Sequence, residues 1–360
     1  MTERNPFEAI KKIPVGQILD RSNLLMSITQ NALQRAKDTK KITARENDRW
    51  IDRFYVWTQK YKIRYPGLPS KRNELVDVTK LVLPNNQLTE LPPEIGQLTN
   101  LTELYLQNNL LTDLPSEIGK LTNLTKLNLT GNQLTKLPPE IGQLTNLTEL
   151  YLQGNLLTEL PPEIGQLTNL TELNLNGNQL TKFPPEIKLL VHLSKLSLSD
   201  NQLKELLPEI GLLTHLTGLG LRNNQINELP PEIGRLNRLA WFSIEDNVLT
   251  DLPTEITQLT NLTELNLTRN QLTRLPSEIG QLTKLTKLYL QGNQVTELVT
   301  DIAQLTNLIK LNLMGNQLTV LPCEIGQLTN LTKLYLQDNK LNELPAEIGQ
   351  LTHLTELYLQ

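Results

Sequence analysis

Apolar and polar positions recur in a fixed order along most of this chain. In Leu101 to Gly119, read LTELYLQNNLLTDLPSEIG, Leu104 and Leu106 alternate with Glu103, Tyr105 and Gln107. That period of two predicts a short strand buried on one face. Leu111 and Leu114 continue the inward set beyond Asn109, and Leu121 and Leu124 lead back to the next strand. Pro115 to Gly119 read as one short helical turn, with proline suited to its first position, Glu117 complementing the dipole and Gly119 ending it. The asparagine returns as Asn86, Asn109, Asn132, Asn155, Asn178, Asn201, Asn224, Asn247, Asn270, Asn293, Asn316 and Asn339, every step being 23 residues. A fixed period of this length, with no insertion or deletion, marks a solenoid.

One unit cannot bury its own leucines, so stability must come from stacking neighbours. Parallel strands stack at about 5 Å while the helical turns behind them need more room. The array is therefore expected to bend into a horseshoe with a parallel sheet on its concave side. An asparagine amide carries both donors and acceptors. Twelve in register predict a ladder that satisfies backbone groups of the turns above and below. The fold class that follows is an α/β solenoid over 77–360, with twelve full repeats and a partial thirteenth.

Residues 1–76 follow a different pattern. From Gln17 to Lys37, Ile18, Leu25, Ile28, Ala32 and Ala36 fall near helical spacing. Thr43 and Glu46 have capping-box spacing, and Trp50, Phe54, Trp57 and Tyr61 follow on one helical face. Pro66, Gly67 and Pro69 stop this second helix, and a turn over Lys71–Leu75 leads to the first strand at Val78. The aromatic stripe could dock a partner; the reading preferred here is a helical N-terminal cap over the first repeat, because solenoids need a lid. At the other end, Leu354, Leu357 and Leu359 begin a thirteenth strand and the sequence stops at Gln360. Two coverings are expected for that open end: a C-terminal domain of a longer polypeptide, which is preferred, or another chain, as in a homo-oligomer.

Composition narrows the setting. Of 360 residues only Cys323 is a cysteine, too few for the disulfide caps of extracellular repeat proteins. The start, MTERNPFEAIKK, has no apolar run for a signal peptide, and no stretch is long enough to span a membrane. A cytoplasmic protein with no membrane partner is expected, in which triplets such as Asn100-Leu101-Thr102 are repeat residues and not glycosylation sites. The net charge of −4, with signs interspersed, leaves no footprint for nucleic acid. No phosphate-binding loop, GxSxG or CxxC occurs, so no catalytic residue is assigned and the chain is read as no enzyme. His192, His215 and His353 all fall nine residues before a ladder position, where most repeats carry asparagine. They read as substitutions in one structural column, and neither a metal nor a cofactor is expected.

The informative positions face out of the concave sheet. Six before each ladder asparagine, lysine and glutamate interleave through the first repeats (Lys80, Glu103, Lys126, Glu149) and are expected to pair across strands. Two departures give candidate partner-binding residues. Arg222, Trp241 and Glu245 lie in the most divergent repeats, with Trp241 predicted outward beside Gly218 and Gly220. That combination fits an interface hot spot; drift, with the indole lying flat over the glycines, fits equally. Lys287, Lys310 and Lys333 form a ridge flanked by Tyr289 and Tyr335. Like charges about 5 Å apart repel, which an acidic ligand would relieve. A solvated ridge copied by duplication is the preferred alternative.

The stretch LPPEIGQLTNLTELNL (Leu160–Leu175) resembles the intracellular leucine-rich repeats of the Ras-suppressor, Scribble and plant Ras-group type, and bacterial arrays such as those preceding the GTPase domain of Roco proteins. The resemblance covers about 78–360. It implies a leucine-rich repeat horseshoe and a non-catalytic scaffold in signal transduction, binding a protein or peptide on the concave face. The near-identity of the repeats resembles a bacterial expansion. A second reading is the regulatory arm of a larger signalling enzyme, such as a Roco-type GTPase, whose catalytic region is absent from this sequence.

Overall fold

In the computed structural model, residues 29–34, 37, 49–63, 68–69 and 72–359 are described. The chain divides into two units, 1–58 and 59–360. In the first, 29–34 are helical, as is the stretch from 49. Trp50, Phe54 and Trp57 are buried, and the rings of Phe54 and Trp57 are 5.3 Å apart. Thr43, Glu46 and most of Gln17–Lys37 lie outside the described residues.

The second unit is the solenoid. Thirteen parallel strands form one sheet in strict chain order, from Lys80–Val82 to Glu356–Tyr358. Each strand is three residues long, and its central residue is the buried one through most of the array, as Leu104 is between Glu103 and Tyr105. The register never slips: Glu103 pairs with Lys126 and Lys126 with Glu149. Every outward column predicted from the 23-residue period is therefore a physical row across the sheet. Behind the strands, Leu111, Ile118, Leu121 and Leu124 are fully buried with their counterparts in the other repeats, except in the last, where Leu341, Ile348 and Leu354 are half-buried. The first strand begins at Lys80 and not at Val78, preceded by a 3-10 helix over Arg72–Asp77.

The helical turn differs from expectation in two respects. It is a 3-10 helix, and in most repeats with a single proline that residue precedes it: Pro115 is the extended cap before Ser116–Lys120, and Ile118 N–H donates to Pro115 O at 3.0 Å. In Pro-Pro repeats a proline, such as Pro139, takes the first helical position, as the single Pro208 does after Leu207. The following glycine is not a left-handed stop. A Cβ on Gly142 would lie 2.6 Å from Glu163 O of the next turn, so the residue is there for close approach between neighbouring turns.

The ladder is present, with a one-sided geometry. Asn178 Nδ2 donates to Leu175 O at 2.9 Å and to Leu152 O of the preceding repeat at 3.1 Å, while its Oδ1 accepts from Leu157 N–H at 3.0 Å. Each asparagine thus ties its own turn to the one before it, and not to the one after. Asn86, on the first full repeat, is half-buried; its side chain donates to Pro84 O, and its backbone N–H donates to Asn109 Oδ1.

Candidate functional site

The candidate surface is built from the rows six, four and two residues before the ladder asparagine. In the first repeats the expected cross-strand pairs are formed: Lys80–Glu103 at 2.7 Å and Lys126–Glu149 at 2.5 Å. Tyr105 and Tyr151 hydroxyls donate to Glu103 and Glu149 of their own strands at 2.9 and 2.8 Å. These bonds hold both carboxyls below the ordinary glutamate range, with the lysine hydrogen bond the larger cause in each case. The Lys126 ammonium is raised, chiefly by Glu149. Burial, more than the bond to Glu149, pushes the Tyr151 phenol upward.

At the centre, the strand phase turns Trp241 outward at 39% exposure, while Phe242 and Ile244 fill the inward sites. The indole lies across Gly218 and Gly220, 3.6 and 3.2 Å from where their Cβ atoms would stand. Any side chain at 220 would lift it. Arg222 does not lie free: its Nε is 3.2 Å from Glu245 and 3.4 Å from Asp246. Asp246 also takes Arg269 at 3.2 Å, and Asn266 donates to Glu245. Arg269 was not a sequence candidate. It stands in the column just before the ladder asparagine, where the backbone is left-handed and nearly every other residue is Gly, Asn or Asp. At φ 49° an arginine is strained there, and reading that column would have singled it out.

In the C-terminal part, Lys287, Lys310 and Lys333 do stand in register. Their mutual repulsion is largely answered within the fold, by carboxylates in the strands outside the ridge: Lys287 pairs with Glu264 at 3.0 Å and Lys333 with Glu356 at 2.7 Å. Those bonds raise both ammonium groups. Lys310 instead sits between the rings of Tyr289 and Tyr335, 4.9 and 5.3 Å from their centroids. The central and C-terminal groups are separated by one strand, Glu264–Asn266.

The histidines are column substitutions. His192 and His353 ring nitrogens bond Thr168 O and Thr329 O, the same relation in which Asn123 donates to Thr99 O. His192 and His215 rings are 6.0 Å apart. Among the described residues, no cluster of three or more His, Cys, Asp or Glu is placed to hold a metal.

Models for leucine-rich repeats match 77–134 and 304–360, paired-repeat models match 122–162 and 145–188, and a leucine-rich repeat region model matches 184–271. A leucine-rich repeat protein of Leptospira interrogans is 40% identical, over 80% of this chain and 85% of that one, with a TM-score of 0.70. The chain belongs to the leucine-rich repeat family. Among solved leucine-rich repeat structures, an internalin of Listeria monocytogenes is similar at 25% identity over 83% of this chain and 92% of its own, with a TM-score of 0.70. A plant peptide hormone receptor, in complex with RGF2, is 31% identical over 81% of this chain and 53% of its own, with a TM-score of 0.63. The repeats of FLRT2, from an octameric complex with latrophilin 3 and Unc5D, are 28% identical over 73% and 82%, with a TM-score of 0.61. A search of curated proteins finds no match. Leucine-rich repeat solenoids generally mediate protein–protein interaction. Among the described residues no helix is long and apolar enough to cross a membrane.

Proposed function

We propose that this leucine-rich repeat array is a non-catalytic, cytoplasmic scaffold that binds a protein or peptide on its concave face. The observation that carries the reading is Trp241: a large ring held outward on a floor of two glycines, beside a charged cluster containing a strained arginine. Aromatic and arginine side chains in such settings dominate interface energetics. The thirteen in-register strands and the asparagine ladder pre-organise the surface, so little ordering entropy opposes binding. Structural relatives seen with a peptide hormone and with protein partners support a protein ligand.

The test is capture from lysate of the source cell by the wild type and by a variant carrying Trp241→Ala, Arg222→Ala and Lys310→Glu. A protein retained by the wild type and lost with the variant is the expected result. Identical captures would overturn the concave-face reading.

A further inference from the structure

The array contains its own internal control for the lysine ridge. Lys126 lies between Tyr105 and Tyr151, 5.9 and 5.2 Å from their ring centroids. Lys310 lies in the same way between Tyr289 and Tyr335. The two nests also share an asparagine, Asn128 in one and Asn312 in the other, on the strand of the lysine. What differs is the acid. In the first nest Glu149 on the next strand places its carboxylate 2.5 Å from the Lys126 ammonium. At the corresponding place in the second stands Lys333, and where the first has Glu103 the second has Lys287.

The carboxylates that neutralise these flanking lysines have moved one strand outward, to Glu264 and Glu356, where they hold Lys287 and Lys333. Lys310 is left with its two rings and, among the described residues, no carboxylate within ion-pair distance; Glu356, to which the Tyr335 hydroxyl donates at 2.6 Å, acts on it only from farther off. A tyrosine pair orients an ammonium and partly desolvates it. In that setting a charge-assisted bond is stronger than in open water. The first nest shows which group completes the arrangement.

We infer that the Tyr289–Lys310–Tyr335 nest binds a carboxylate of an acidic peptide segment, which takes the place Glu149 holds beside Lys126. This rests on the concave-face reading above and names the chemistry of the ligand. Lys287 and Lys333, one strand away on either side, add positive potential that steers acidic chains toward the nest. Glu264 and Glu356 bound the strip and repel a ligand shifted out of register.

The inference is tested by fluorescence anisotropy with fluorescein-labelled hexaglutamate on the full chain at low salt, with hexalysine and a twelve-nucleotide dT strand as comparison probes. Hexaglutamate is expected to bind saturably and to weaken about tenfold in Lys310→Gln, the effect of losing one desolvated charge contact. Lys126→Gln, whose site is already filled by Glu149, should bind as the wild type does. Lys310→Gln breaks no internal ion pair, and unchanged circular dichroism would verify its fold. The inference is overturned by absence of saturable binding up to millimolar peptide, by wild-type affinity in Lys310→Gln, or by equal losses in both variants. Tighter binding of dT would overturn it too, by making phosphate the ligand. If hexaglutamate fails while lysate capture is still lost with a Trp241→Ala, Arg222→Ala variant that keeps Lys310, this inference falls and the concave-face reading stands.

Discussion

An interior asparagine of this array satisfies backbone groups that strand pairing does not reach. Asn178 serves three carbonyls and one amide of two successive repeats through a side chain that is 6% exposed. Leucine at that position would leave them unpaired in an apolar interior, at a cost of roughly 1–3 kcal/mol. Asn86→Leu should cost clearly less, because Asn86 donates to one carbonyl and is half-buried. Urea unfolding of the two variants checks this, and equal losses would contradict the one-sided ladder. The ion pairs of the concave face give a pH prediction. Glu103 and Glu149 titrate below the unfolded carboxylate because lysines hold them. Their contribution is complete above the unfolded value of about 4.3 and is lost as pH falls through the lower folded values. The thermal midpoint should therefore be level from about pH 7 to 5 and fall below about pH 4.3. The fall should be shallower in Lys126→Met.

At the scale of the element, the helical turn was the part least legible in sequence. A glycine closing PEIGQ has the same place in the string whether it ends a helix or admits a neighbour, and only the stacked repeat distinguishes the two. Gly142→Ala would press a methyl group onto Glu163 O and should destabilise by about 1–3 kcal/mol. Gly349 has nothing within 4 Å of its Cβ position, so Gly349→Ala should stay within about 0.5 kcal/mol of the wild type in the same unfolding experiment. Thr257 and Ala303 occupy the same column and are buried, which shows that the array can shift to admit a side chain. The strands, by contrast, were legible from period alone, because a buried Leu between two outward residues leaves no second register.

At the scale of the whole array, constancy of the repeat makes one residue's placement predict eleven others. The outward rows, the cross-strand pairs and the outward phase of Trp241 were all readable from that constancy; the indole lying over Gly218 and Gly220 was one of two arrangements the sequence left open. Two features of the candidate site were not. The lysine ridge looked self-repelling because its neutralising acids, Glu264 and Glu356, lie in the strands outside it. Arg222 looked available beside Trp241, whereas Glu245 and Asp246 of the next repeat hold it. The acids stand in the same column as the lysines, one strand beyond the ridge, and are missed only when the three lysines are read alone; the hold on Arg222 depends on which rotamer reaches across to the next repeat, and a column of letters does not carry that.

The central claim is that partners meet the concave sheet and not the helical back. Site-specific photocrosslinking in the source cell tests it directly, with benzoylphenylalanine replacing Ser197 or Asn312 in the sheet, or Gln166 or Gln258 in the 3-10 turns. The account predicts a crosslinked adduct of the same protein from the sheet positions and none from the turns. Adducts from the turns alone would contradict it.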